Sequence, residues 1–214
     1  MNWQVKYALE NINEQAFSRL SAEYVDGDVV KIIARDQPDV LAAISGAFII
    51  TKAIAEEYIQ ETPIIDFLCS YRKECVWEGE AITFLRNRNI GWGNLGTLCS
   101  ASIDGQANTA EHKVYKFAAR LIHQYGVVDS VEREFDRIFI VTLKNGRKIR
   151  IGMIPDYEPT ADNIRSLWSD FGPVGIAWNI NPNGEPSLTA RQVGEELGCK
   201  VLKNEGMKAY LQSL

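Results

Sequence analysis

Histidine and cysteine are scarce, with two and four in 214 residues, and their spacing excludes common metal chemistry. No two cysteines stand at the C-x-x-C spacing that lets a pair of thiolates grip zinc. His112 and His123 fall on one expected helix, where eleven residues separate them by roughly 16 Å along the axis, too far to share an ion. Cys69 and Cys199 lie in apolar runs and read as small buried hydrophobes in a reducing cytoplasm. Cys75 lies in a polar stretch and is the candidate for a reactive thiol. No apolar run approaches the ~20 residues of a membrane helix. The N-terminus lacks a basic segment followed by an apolar one, so a secretory leader is not expected. No G-x-x-x-x-G-K-[ST], G-x-S-x-G or H-E-x-x-H is present. Gly91-Trp92-Gly93-Asn94-Leu95-Gly96 matches G-x-G-x-x-G as a string, without the long preceding strand that dinucleotide binding needs.

What is present is an ordinary globular composition: 46% hydrophobic, 24% charged, formal net charge −5. Disorder is excluded, and the length suits two lobes of about 100 residues. The pattern of elements is α/β. A helix is expected near Glu14–Glu23 from the Phe17/Leu20/Tyr24 stripe, and a buried strand over Val29–Ala34. A long helix from about Asp39 to Gln60, ended by Pro63, comes next. It is followed by a strand over Ile64–Cys69, a helix from Trp77 to Arg88, a short strand at Ile90–Trp92 and a helix capped by Asn94. Residues 1–101 form the first lobe. The small, polar, aperiodic stretch 102–108 reads as a linker, and 109–214 form the second lobe.

The second lobe reads helix (Thr109–Gln124), three strands, helix, strand, helix, strand, helix. Asn145-Gly146 predicts a type I′ turn between the last two meander strands. Thr160, Ser187 and Gly198 supply caps. A shift of about 109 residues lays Ile65–Leu68 over Val174–Ala177, Ala81 over Ala190 and Ile90 over Cys199, which raises the question of a duplication.

This αβββαβαβα order resembles the core of the restriction-endonuclease-like, PD-(D/E)XK, superfamily. The resemblance covers half the chain and rests on element order. It implies an Asp at the meander and an acid-x-Lys on the next strand, together holding a divalent cation such as Mg²⁺ that activates water. Glu111 on the leading helix and Asp136 at the second meander strand answer the pattern. The strand Arg147–Met153 carries no acid, and Asp156 and Glu158 only follow it. The resemblance therefore implies a diverged, non-catalytic nuclease-like protein that acts by binding, in microbial defence or conflict. Two alternatives stand beside it. One is an acidic immunity or inhibitor protein for a basic toxin. The other is an enzyme with a divergent site built from Glu111, Asp136, Asp156 or Glu158.

Expected binding residues are basic or amide. Lys113, Lys116 and Arg120 form a helical stripe, and Arg147 and Arg150 the charged face of a strand. Arg72 and Lys73 follow one central strand, and Asn181 and Asn183 follow the other. Ligands favour such loops in open α/β sheets, although Asn, Pro and Gly there also serve turn geometry. The expected partner is a protein or nucleic acid, with no membrane. Trp77, Trp92, Trp168 and Trp178 read as core.

Overall fold

A computed structural model describes residues 1–14, 19–62 and 64–214. The chain divides into two compact units, Met1–Lys113 and Val114–Leu214. Both are α/β.

In the first unit, α1 (Trp3–Glu14) precedes an antiparallel meander of β1 (Leu20–Asp26), β2 (Val29–Ala34) and β3 (Val40–Ser45). A short β4 (Ile49–Ile50) and α2 (Lys52–Glu61) lead to β5 (Phe67–Ser70). Then come β6 (Val76–Trp77), α3 (Gly79–Arg86), β7 (Gly91–Asn94) and α4 (Leu95–Ile103). The main sheet has the order β1-β2-β3-β5-β7, with β3, β5 and β7 mutually parallel, and β4 pairs with β6. α1 and α4 bury Val5, Ile12 and Leu98 against one face, on Ile32, Ile44 and Phe67. α2 and α3 bury Ala55, Ile82 and Leu85 against the other, on Leu68 and Trp92.

The second unit runs α5 (Lys113–His123), β8 (Val128–Phe135), β9 (Ile138–Leu143), β10 (Lys148–Ile154), α6 (Ala161–Phe171), β11 (Ile176–Asn179), α7 (Leu188–Glu196), β12 (Lys200–Lys203) and α8 (Asn204–Gln212). Its sheet has the order β12-β11-β10-β9-β8. α5 and α8 cover the face with Phe139, Ile151, Met153 and Trp178. α6 and α7 cover the face with Ile138, Ile154 and Ala177.

The two units repeat one topology in one register. Val29 pairs with Ala43, and Ile138 with Gly152. Ala42 pairs with Phe67, and Ile151 with Ile176. Phe67 pairs with Gly91, and Ile176 with Lys200. Adding 109 to each first-unit number gives its second-unit counterpart. The same shift carries the starts of α2, α3 and α4 onto those of α6, α7 and α8. It also carries the cap Thr51 of α2 onto the cap Thr160 of α6.

Several expectations change. The helix expected near Glu14–Glu23 falls partly on residues 15–18, which lie outside those described, as do Phe17 and Pro63. On either side, α1 ends at Glu14 and Leu20–Asp26 is a strand. The long helix from Asp39 is three elements, because Val40–Ser45 is buried nearly throughout and pairs on both sides. A continuous apolar run carries no period to separate strand from helix. The stretch 102–108 is no linker. Ser102 is buried in α4 and donates to the Leu98 carbonyl. Residues Ala107–Thr109 form a 3₁₀ turn, and Trp92 N donates to Ala110 O. A Cβ at Gly91 would lie 1.9 Å from the Ala107 carbonyl oxygen, so strand and turn touch there with no space for a side chain. The Asn145-Gly146 hairpin has only Gly146 at positive φ, +85°. Gly146 N donates to Leu143 O and Leu143 N to Arg147 O, which closes a three-residue loop with glycine in the left-handed region instead of a type I′ turn.

Candidate functional site

The loops that leave the parallel strands β10 and β11 emerge at one edge of the second unit's sheet. Asp136 reaches the same edge because β9 runs antiparallel to β10: Ile138 faces Gly152, and Met153 N donates to the Arg137 carbonyl. Asp136 is buried, alone among the charged side chains of the described residues. Its Oδ1 accepts from Arg137 Nε and its Oδ2 from Arg137 Nη2, both at 3.0 Å. A fork-to-fork pair of this kind answers the carboxylate's charge and engages one lone pair on each oxygen. The Arg137 guanidinium also stands 5.8 Å from the Tyr115 ring centre and 5.7 Å from that of Phe171. Tyr115, from α5, has its hydroxyl pushed up to about 12. Burial is the largest cause; Arg137 opposes it, and the Asp136 and Asp156 charges add to it.

The other expected acids do not gather here. Glu111 precedes α5, belongs to the first unit and pairs with Arg86 at 3.2 Å, so its place on the leading helix is corrected. Asp156 and Glu158 are exposed on the loop after β10. Among the described residues no group of three or more His, Cys, Asp or Glu is placed to hold a metal. Mg²⁺ demands a near-octahedral oxygen shell with one or two carboxylates. The sole buried carboxylate is already committed to a guanidinium, so these residues do not fit the ion.

In the first unit, Gly27 stands at the position of Asp136 and Asp28 at that of Arg137, by pairings of Asp26 with Val29 and Phe135 with Ile138. Asp28 accepts from Asn2 Nδ2 at 2.7 Å, Gln4 Nε2 at 3.2 Å and Tyr58 Oη at 3.4 Å. Neutral donors hold this carboxylate where a nuclease-like site would hold its cation.

The amide residues chiefly build their own loop. Asn181 Nδ2 donates to Pro155 O, and its Oδ1 accepts from Asn183 N. Both are turn residues here. Asn179, which opens the same Asn-rich stretch, ends β11 fully buried, and its Nδ2 donates to Asp156 O at 2.8 Å. Glu185 accepts from Lys203 at 2.6 Å and from Arg191, and these cations hold its carboxyl below the ordinary range, with the Lys203 hydrogen bond the largest cause.

The basic residues are dispersed. Arg150 donates to Glu134 at 2.6 and 3.0 Å and to Pro173 O, so its charge is answered within the sheet. Arg147 lies at the β9–β10 turn, the opposite end of β9 from Asp136. Lys116 is exposed on α5, and Lys113 stands 3.8 Å from Asp104. Arg72 belongs to the first unit, its guanidinium 3.6 Å from the Phe48 ring centre and 4.7 Å from that of Tyr71. Cys75 is buried with Sγ donating toward Ala47 O, which corrects its reading as a thiol in a polar loop. Trp77, Trp92 and Trp178 are core, whereas Trp3 is exposed, stacks on Tyr7 and meets Tyr71 edge-on.

No protein-family model, curated protein or solved structure matches this chain.

Proposed function

We propose that the chain is a diverged, non-catalytic nuclease-like protein that acts by binding, made of two copies of a restriction-endonuclease-like αβββαβαβα unit joined by duplication. The shared register supports the duplication. One observation carries the functional reading: the buried acid at the head of the sheet, Asp136, is matched to Arg137 instead of to a second carboxylate. A metal-dependent hydrolase needs acids there to position a cation and lower the pKa of its water. A place in defence or conflict between microbes fits a nuclease-like unit that keeps its shape and has given up its chemistry.

Incubation with single- and double-stranded DNA and RNA in Mg²⁺ or Mn²⁺ should release no product. Cleavage that Asp136→Ala abolishes would overturn the reading.

A second reading, an inhibitor of a basic toxin, draws on the charge distribution. The first unit carries sixteen acidic against ten basic residues, and the second twelve against thirteen. The acidity is thus concentrated in one unit, which is where a cationic protein would dock. Capture of a basic protein partner whose binding weakens steeply with salt favours this reading.

A further inference from the structure

The first unit holds a cavity of about 610 Å³ between α1 and α4, beside the carboxyl ends of β5 and β7. Its walls are mainly apolar and aromatic: Ile12 and Tyr7 from α1, Leu95 and Ile103 from α4, and Tyr71, whose ring centre lies 5.7 Å from that of Tyr7. Lys73 is the one charged residue in the lining and makes no ion pair among the described residues. The volume falls in the range of small-molecule sites, and so does the composition: apolar walls with a few polar groups.

The second unit shows that the fold does not require this space. Cys69 corresponds by register to Trp178, since Ile44 pairs with Cys69 and Met153 with Trp178. The Trp178 indole is fully buried, and its Nε1 donates to Asn204 Oδ1 at 2.9 Å, at the first residue of α8. Asn204 corresponds to Leu95, the first residue of α4 and part of the cavity wall. A large side chain bonded to the first residue of α8 in one copy is therefore a thiol in the other. An apolar recess with a lone cation at its edge is the setting of a small-molecule site.

We propose that this cavity binds a small amphipathic monocarboxylate, its apolar body among Ile12, Leu95 and Ile103 and its carboxylate at Lys73. One lysine, with no arginine, suits a single negative charge; a di- or triphosphate would demand more cations. This inference goes beyond the non-catalytic reading and stands without it.

Cys99 lines the cavity, is half-buried, and has its thiol pushed up by burial, so it reports occupancy through slow alkylation. The experiment follows iodoacetamide labelling of Cys99 in the full chain by mass spectrometry while decanoate is titrated. Saturable protection is expected. Lys73→Glu, an exposed change, should weaken it by about tenfold, as loss of a charge-assisted contact predicts. Ser100→Trp should abolish decanoate binding measured by calorimetry, and the uncharged decanol should protect less than decanoate. No protection, protection unchanged in Lys73→Glu, equal protection by decanol, or protection by an acidic peptide but not by decanoate would each overturn the proposal.

Discussion

Asp136 and Arg137 show at the scale of single residues why position outweighs residue type. An aspartate at the start of a meander strand is a metal ligand when a second acid faces it, and a structural ion when a guanidinium does. Its side chain is 4% exposed and that of Arg137 21%, so the pair is largely withdrawn from water. Removing the guanidinium leaves a buried carboxylate uncompensated. Arg137→Ala should therefore cost about 3 kcal/mol in urea unfolding. The double variant Arg137→Ala/Asp136→Ala should recover part of that loss, the coupling expected of contacting partners. A double-variant loss equal to the sum of the two single losses would mean that the pair does not act as a unit.

Two further residues set the alkaline limit. Burial raises the Cys199 thiol from 9.0 to about 11 and the Tyr115 hydroxyl from 10.0 to about 12. In both, the folded state favours the protonated form. The unfolded chain loses these protons at lower pH, so stability is fully present below pH 9 and declines as pH rises from 9 toward 12. Denaturation midpoints measured across that window should fall with pH, and Cys199→Ala should flatten the part between 9 and 11.

At the scale of elements, the caps of α2 and α6 offer a matched test. Thr51 Oγ1 accepts from Ile54 N and Thr160 Oγ1 from Asn163 N. Replacing either threonine by alanine should cost about 1 kcal/mol of unfolding free energy. Gly91→Ala belongs to the same scale. Its new methyl would meet the Ala107 carbonyl, so strand β7 or the 3₁₀ turn must move, and a loss of at least 1–3 kcal/mol, roughly that of an overpacked core site, is expected.

The elements also show what a sequence can reveal. N-caps were legible at Thr160, Ser187 and Asn94 because each uses its own side chain locally. β3 was not, because Val40–Ser45 is apolar throughout and its strand character comes from neighbours on both sides. Residues 102–108 look like a linker because they are mostly small or polar and aperiodic, but their backbone packs on Gly91, where no side chain fits. The acids of the candidate site were legible as residues. Their partners were not, since nothing local tells a metal-facing Asp136 from one turned onto its own neighbour. The cavity had one signal in the text, Cys69 against Trp178 at the 109-residue shift.

For the whole molecule, the repeat is the main fact. One topology occurs twice with the central-strand registers of the two five-stranded sheets preserved, yet the two copies have different charge and different interiors. The acids concentrate in the first unit, which also keeps the open cavity; the second has Trp178 at the position of Cys69 and locks its buried acid with Arg137. Copies that share a scaffold and differ at the head of the sheet fit a protein whose roles lie in recognition.

The central claim is that this head holds no catalytic cation. Calorimetric titration of Mn²⁺ into the full chain at neutral pH tests it directly. The account predicts no saturable heat, and none in Asp136→Ala. Stoichiometric binding in the native chain that disappears in Asp136→Ala would contradict it.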